Sequence, residues 1–191
     1  AMTALEKITE DNKIEGKEIQ QFDLLGMKKA TELNPYQSEY KINLSRVYLT
    51  RAFYFASLKP ENDETKRQLI QGVVNEINLA LIYASDGYIG KRYVKGGTKL
   101  SPNMVYAWNN LGTICQQVIL SGWGDQNIIN LGINAYKKAI ELEPVNPVFP
   151  GELAKIYLVI DDFEKAEENL KKSLELKPDY GNSIVQLSQL Y

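Results

Sequence analysis

The sequence predicts an all-α chain of stacked helix pairs, and three observations carry that prediction. The first is a recurring large-small-large opening: Leu44-Ser45-x-x-Tyr48, Leu111-Gly112-x-x-Cys115 with Trp108 three residues ahead, Leu153-Ala154-x-x-Tyr157, and Leu187-Ser188-x-x-Tyr191. The last two openings stand 34 residues apart. The second is a set of prolines in equivalent places. Pro35, Pro144 and Pro178 follow Glu32-Leu33-Asn34, Glu141-Leu142-Glu143 and Glu175-Leu176-Lys177, and each stops a helix because proline lacks an amide hydrogen and restricts its predecessor. The third is the returning stripe of each pair at helical spacing: Ile77 and Ala80, then Gly132, Tyr136 and Ala139, then Ala166, Leu170 and Ser173. The small residue of each opening lets the returning helix approach closely. One pair cannot bury its own apolar face, so the pairs must stack.

Taken in order, residues 1–35 read as a partial repeat or cap. Its second helix covers roughly 17–33 with Met27 and Ala30 facing inward, while residues 1–16 fit a first helix poorly and read as a frayed or atypical cap. Residues 36–85 form an elongated pair, since Ala52, Phe55, Ala56 and Leu58 continue the outgoing stripe and Leu69, Val73, Val74, Ile77 and Leu81 make the return. Residues 103–146 form the next pair, interrupted by Ser121-Gly122-Trp123-Gly124-Asp125, a turn with a capping aspartate whose Trp123 lids the helices. Residues 147–180 make a regular pair, entered through Asn146-Pro147 and turning at Asp161, which stands three residues before Glu164 like a capping box. Residues 181–191 start a further unit or supply a capping helix.

Spacing adds a gradient. From opening leucine to stop there are 41 residues for Leu44 to Ser85, 33 for Leu111 to Pro144 and 25 for Leu153 to Pro178. Shared between two helices, the excesses are about two and about one extra turn each, at about 3.6 residues per turn. Helix length should therefore fall from the first pair to the third.

Residues 86–102 break the pattern with Gly87-Tyr88-Ile89-Gly90-Lys91-Arg92-Tyr93-Val94-Lys95-Gly96-Gly97-Thr98-Lys99. Ile89 and Val94 flank a tight reversal, which fits a small hairpin or a compact loop. Tyr88, Lys91, Arg92, Tyr93, Lys95 and Lys99 suit contact with something anionic. The blander alternative, and the preferred one, is a solvated loop whose tyrosines pack on the elongated pair. Residues 101–191 carry 7 basic and 11 acidic side chains, so complementarity inside the chain is available. Nucleic acid is not expected as a partner, because it would call for a broader basic surface.

Composition narrows the chemistry. The 191 residues hold 22 basic and 24 acidic side chains, no histidine and one cysteine, Cys115. Ser-His-Asp and Cys-His catalysis, His-containing zinc sites and an intrachain disulfide are thereby excluded. No enzyme, cofactor or metal is expected, since Asp161, Asp162, Glu164, Glu167 and Glu168 read as a turn followed by a solvated helix face. Cys115 reads as a buried, inert thiol, and Tyr36, Tyr40 and Tyr54 as packing at junctions. The longest uncharged stretch between Leu100 and Gly124 is too polar for a bilayer core, so no membrane contact is expected here. Ala1-Met2 reads as a scar of tag removal, and the helical pattern is still running at Tyr191, as in a fragment of a longer protein.

With Trp108-x-x-Leu111-Gly112, the small residues of the returning helices and the terminal prolines, the chain resembles the tetratricopeptide repeat, most strongly from Trp108 to Tyr191. The resemblance implies an α-α superhelix and a non-catalytic scaffold that binds a protein or peptide partner. It also implies that the first helix of each pair lines a concave groove. Matched residue by residue, the groove would hold Glu39, Ile42 and Arg46; Tyr106, Asn109, Thr113 and Gln116; Lys155; and Val185 and Gln189. Ile42 and Arg46 stand where carboxylate-gripping members carry Lys and Asn, which speaks against that mode. Asn109 and Gln116 are the leading individual candidates. A charge-free outer face on this central pair would also favour self-association.

A weaker resemblance lies in Leu33-Asn34-Pro35-Tyr36-x-Ser38-Glu39-Tyr40-x-x-Asn43-Leu44, which looks like the repeat tail following the membrane domain of bacterial O-antigen ligase and polymerase-like proteins. It implies an extracytoplasmic accessory domain of a glycan-transfer protein. Both a cytoplasmic protein and such a domain of a bacterial membrane protein fit the sequence.

Overall fold

The computed structural model describes residues 24–191, and there the apolar periodicities become helices. In chain order they are α1 (Leu24–Leu33), α2 (Ser38–Ser57), α3 (Asp63–Ala84), strands β1 (Asp86–Ile89) and β2 (Arg92–Lys95), then α4 (Gly97–Leu100), α5 (Val105–Leu120), α6 (Gln126–Leu142), α7 (Val148–Val159), α8 (Phe163–Leu176) and α9 (Gly181–Ser188). The expected helix over 17–33 is therefore seen from Leu24, and the reading of residues 1–16 falls outside the described residues. Helices α1, α6 and α8 end two residues short of Pro35, Pro144 and Pro178. Lengths fall as the spacing predicts, from 20 and 22 residues in α2 and α3, through 16 and 17 in α5 and α6, to 12 and 14 in α7 and α8. The chain divides into two compact units, one reaching to Gly96 and the other covering Gly97–Tyr191.

In the amino-side unit, α2 packs against both α1 and α3. Ile42, Leu44, Val47, Ala52 and Phe55 from α2 meet a stripe of Leu69, Val73, Ile77, Ala80 and Ala84 from α3, all of them buried. Tyr48 of α2 stacks on Tyr83 of α3 with 5.4 Å between ring centroids. Asn62 caps α3 by accepting from the Thr65 amide at 2.8 Å.

The insertion between repeats is a hairpin. β1 and β2 pair antiparallel with Gly87 opposite Val94 and Ile89 opposite Arg92, and the two-residue reversal puts Gly90 at φ 60°. A positive φ at the first turn position suits glycine and matches the right-handed twist of the strands. Val94 is buried. Tyr88 and Tyr93 are exposed and lie against each other at 5.1 Å rather than packing on the elongated pair. Their ring contact and the hydrogen bond from the Tyr93 hydroxyl to the Asp86 carboxylate hold the pair together on the hairpin itself, which corrects the expectation of tyrosines buried against α2 and α3. Tyr36 is 80% exposed in the turn before α2, so it does not pack at a junction; the turn carries it away from both neighbouring helices.

In the carboxy-side unit, α5 to α9 pack each on the next, and α5 also meets α7. The core gathers Ile119, Tyr136, Leu153, Ile156, Tyr157 and Ala166. Asp125 caps α6 by accepting from the Ile128 amide at 2.9 Å, as its place after the Gly-Trp-Gly turn predicts. At the next turn the cap lies one residue later than the sequence suggests. Asp161 takes a left-handed φ of 59°, and Asp162 accepts from the Lys165 amide at 3.2 Å. A buried chain of hydroxyls ties the last three helices: Ser183 donates to Ser173, 2.8 Å, and Ser173 donates to the Pro147 carbonyl, 2.7 Å.

Cys115 is fully buried, and a Cβ added at Gly132 would come within 2.8 Å of its own Cβ. Burial pushes the Cys115 thiol up to about 12. A thiol is nucleophilic only as thiolate, so the native chain at pH 8 is expected to leave Ellman's reagent unreacted and to release one equivalent once unfolded. One equivalent released at once by the folded chain would contradict this burial.

Candidate functional site

On α5 the side chains divide sharply. Ala107, Leu111, Ile114, Cys115 and Val118 face the core, while Tyr106 is 45% exposed and Asn109 and Thr113 are half-buried beside it. Positions 106, 109 and 113 follow three- and four-residue steps, so they share one helix face. The face is uncharged, with an aromatic ring, an amide and a hydroxyl. Thr113 donates back to the Asn109 carbonyl at 2.9 Å and lies 3.4 Å from the Tyr136 hydroxyl.

Gln116, at the end of the same face, is only 6% exposed. Its amide donates at 2.9 Å both to the Glu152 carbonyl and to the Glu152 carboxylate on α7. Lys155 pairs with the other oxygen of that carboxylate at 2.6 Å. Gln116 therefore fastens α5 to α7 instead of reaching outward, because α7 covers its end of the helix. Glu152 joins the three, and sequence reasoning passed over it; a carboxylate three residues ahead of a groove lysine was the available signal.

Ile42 is a second correction. It is 0% exposed, since α2 is covered by α1 on one flank and α3 on the other, and its side chain belongs to the core. Glu39 is half-buried and accepts from Gln37 at 2.6 Å, and Arg46 is exposed. Val185 and Gln189 are exposed at the end of the chain.

The charged residues of the insertion separate. Lys91, Arg92 and Lys95 are exposed on the hairpin, whereas Lys99 is exposed on α4 in the carboxy-side unit. Beside the hairpin lies an arrangement that the periodicity did not single out. Lys41 is 4% exposed, and its ammonium stands 5.3 Å from the centroid of Tyr83. Lys28 of α1 stands 5.7 Å from the centroid of Tyr48, the ring stacked on Tyr83. Burial, and after it the charge of Arg92, hold the Lys41 ammonium below the usual lysine value. A further ion pair, Arg51 with Glu76 at 3.0 Å, links α2 and α3; burial raises the Glu76 carboxyl and Arg51 partly opposes the rise.

Asp162 and Lys165 form an ion pair at the start of α8, and Glu167 pairs with Lys171 at 2.6 Å. Asp162 and Glu167 are thus engaged with lysines of their own turn and helix. Among the described residues, no three His, Cys, Asp or Glu side chains are grouped so as to hold a metal ion. No helix there is long and apolar enough to cross a membrane.

Antiparallel pairs with a close-packed small residue in the opening of each full pair, Ser45, Gly112 or Ala154, stacked pair on pair in the carboxy-side unit, define the tetratricopeptide-repeat fold, an α-helical solenoid; the fourth opening differs, since Ser188 ends α9 exposed and Tyr191 is 86% exposed. Solved structures with this fold resemble the chain along most of its length. The crystal structure of MamA matches with a TM-score of 0.57 and 16% identity, covering 100% of this chain and 84% of that one. TTC0263, a thermophilic TPR protein of Thermus thermophilus, matches with a TM-score of 0.53 and 17% identity, covering 87% and 70%. No family model and no curated protein matches the sequence. These likenesses concern the fold and carry nothing for the O-antigen ligase resemblance of residues 33–44.

Proposed function

We propose that the chain is a non-catalytic interaction scaffold whose carboxy-side unit holds a peptide, or one face of a partner helix, against α5 and α7. The observation that carries this reading is the uncharged Tyr106, Asn109 and Thr113 face on a helix whose other sides are buried. A tyrosine can supply contact area at little entropic cost, and an amide beside it can pair with the backbone of an extended peptide. The Glu152 and Lys155 ion pair adds a polar boundary on α7. Solenoids present such faces in series, so neighbouring repeats can share a ligand.

The test is capture of partners from the cell of origin with the wild type and with a Tyr106→Ala/Asn109→Ala double variant, helicity being compared by circular dichroism. Loss of two anchor side chains is expected to weaken capture by about tenfold or more, with helicity unchanged. Equal recovery of the same proteins by both would sink this reading. Gln116→Ala serves as a contrast, because it should lower stability through the lost α5 to α7 tie.

A further inference from the structure

We propose that the hairpin of one copy docks on the turn edge of the carboxy-side unit of a second copy, so that the chain associates with itself through Tyr88, Tyr93 and Lys95 on one side and Leu120, Val159 and Phe163 on the other. The proposal concerns the ends of α5 and α7 and stands independently of the Tyr106 and Asn109 face.

α5 ends at Leu120 and α7 at Val159, and the two ends are built alike. After each helix one residue takes a left-handed φ, Gly122 at 80° and Asp161 at 59°. The Gly122 amide donates to the Ile119 carbonyl at 3.0 Å and the Asp161 amide to that of Leu158 at 3.3 Å. The next amides, of Trp123 and Asp162, donate to the Val118 and Tyr157 carbonyls at 3.1 and 3.0 Å. Ile160 packs on the apolar cluster that holds Ile119, so the two turns lie at one end of the unit. The last residue of each helix is nevertheless open to solvent, Leu120 at 56% and Val159 at 43%, and Phe163 at the start of α8 is 53% exposed. Large apolar side chains gathered on adjoining turns mark a surface of association. Asp161 and Glu164 stand beside them, exposed and in no ion pair among the described residues.

The hairpin carries the complementary set. Side chains alternate between faces along a strand. Gly87 and Val94 form the face against α3, where Val94 is buried and a Cβ at Gly87 would meet Ile82. Tyr88, Tyr93 and Lys95 therefore share the opposite face, with Tyr88 68% and Tyr93 41% exposed. Lys91 and Lys95 form no ion pair among the described residues, while Asp86 accepts from Tyr93. The hairpin is thus an aromatic pair set among cations, and the turn edge an apolar patch set among carboxylates. Rings against apolar side chains supply contact area, and opposite charges fix the register. A basic partner would suit the edge alone and an acidic one the hairpin alone, whereas a second copy suits both. A copy that both gives and receives a hairpin makes the contact twice in a closed pair, or repeatedly in an open row.

The experiment is sedimentation of the full chain, at low and at high salt, over a concentration series reaching about 1 mM, the weak end of specific association. The mass is expected to rise with concentration above that of one chain, and to rise less at high salt. A hairpin variant, Lys91→Glu/Lys95→Glu, and an edge variant, Asp161→Lys/Glu164→Lys, should each associate about tenfold more weakly or worse, since like charges then face each other. Mixed in equal amounts they should recover the association, because every hairpin then meets an edge of opposite charge. That recovery separates contact between copies from contact within one chain. Tyr88→Ser and Phe163→Ser, at exposed positions, should weaken association likewise, and they decide the matter even where Asp161→Lys strains its left-handed turn. A single-chain mass throughout the series, a mixture no heavier than its components, or wild-type association in both serine variants would overturn the proposal.

Discussion

Replacing Tyr136 by alanine is expected to destabilise the chain by about 3–5 kcal/mol, the range for emptying a fully buried aromatic site. Tyr136 is 0% exposed and lies against Gly112 of the opening motif. A Cβ built on Gly112 would come within 2.8–2.9 Å of three atoms of that ring. Gly112→Ala should therefore cost about 1–3 kcal/mol by overpacking. The two effects share one space, so they should not add. In a Tyr136→Ala background the Gly112→Ala change should cost close to nothing, a coupling of about 1–3 kcal/mol. Urea denaturation of the four variants measures this cycle, and strict additivity would show that Gly112 is not there for the ring.

Gly96→Ala is expected to cost about 3 kcal/mol, the upper end of the ordinary range for overpacking. The added Cβ would lie 2.4 Å from the Ser85 carbonyl oxygen and 2.6 Å from that of Ile82. Those atoms are backbone at the end of α3 and cannot swing aside as a side chain does. The hairpin returns to the end of α3 through this contact, so the substitution should also shift the amide resonances of β2, Arg92 included. Gly181→Ala meets nothing within 4 Å and provides the control, with a change near zero in the same denaturation experiment. A midpoint for Gly96→Ala equal to that of Gly181→Ala would refute the close approach.

Much of the architecture is legible because it rests on local rules. Pro35, Pro144 and Pro178 end helices through their own covalent geometry, Asp125 caps through its own side chain, and the surplus between Leu44 and Ser85 has nowhere to go except into longer helices. The candidate face was harder. Ile42, Asn109 and Gln116 occupy similar places in a repeat pattern, and only the neighbouring helices decide which is covered. α1 and α3 cover the first, Glu152 of α7 captures the third, and Asn109 stays partly open. Lys41 was passed over for the opposite reason: a lysine in an amphipathic helix reads as solvent-facing, although the repeat register puts it where Trp108 stands in the next pair, and α2 turns it toward Tyr83. Tyr88 and Tyr93 show the same limit, since their contact is with each other across the strands and depends on a register that Gly90 sets.

The graded helix lengths change what holds each pair together. A helix leaves about four amide and four carbonyl groups without an internal partner, whatever its length. In the 22-residue α3 those groups are a minor share of the backbone, but in the 12-residue α7 they make up about a third of it. Long helices can tolerate plain ends, and α2 begins at Gln37 with no side-chain cap. The short pair relies on its ends: Asn146 accepts from the Val148 amide, Asp162 from that of Lys165, and the Ser173 hydroxyl reaches the Pro147 carbonyl. In this short pair, order rests on a few polar side chains at the helix ends as much as on the repetition of helical turns.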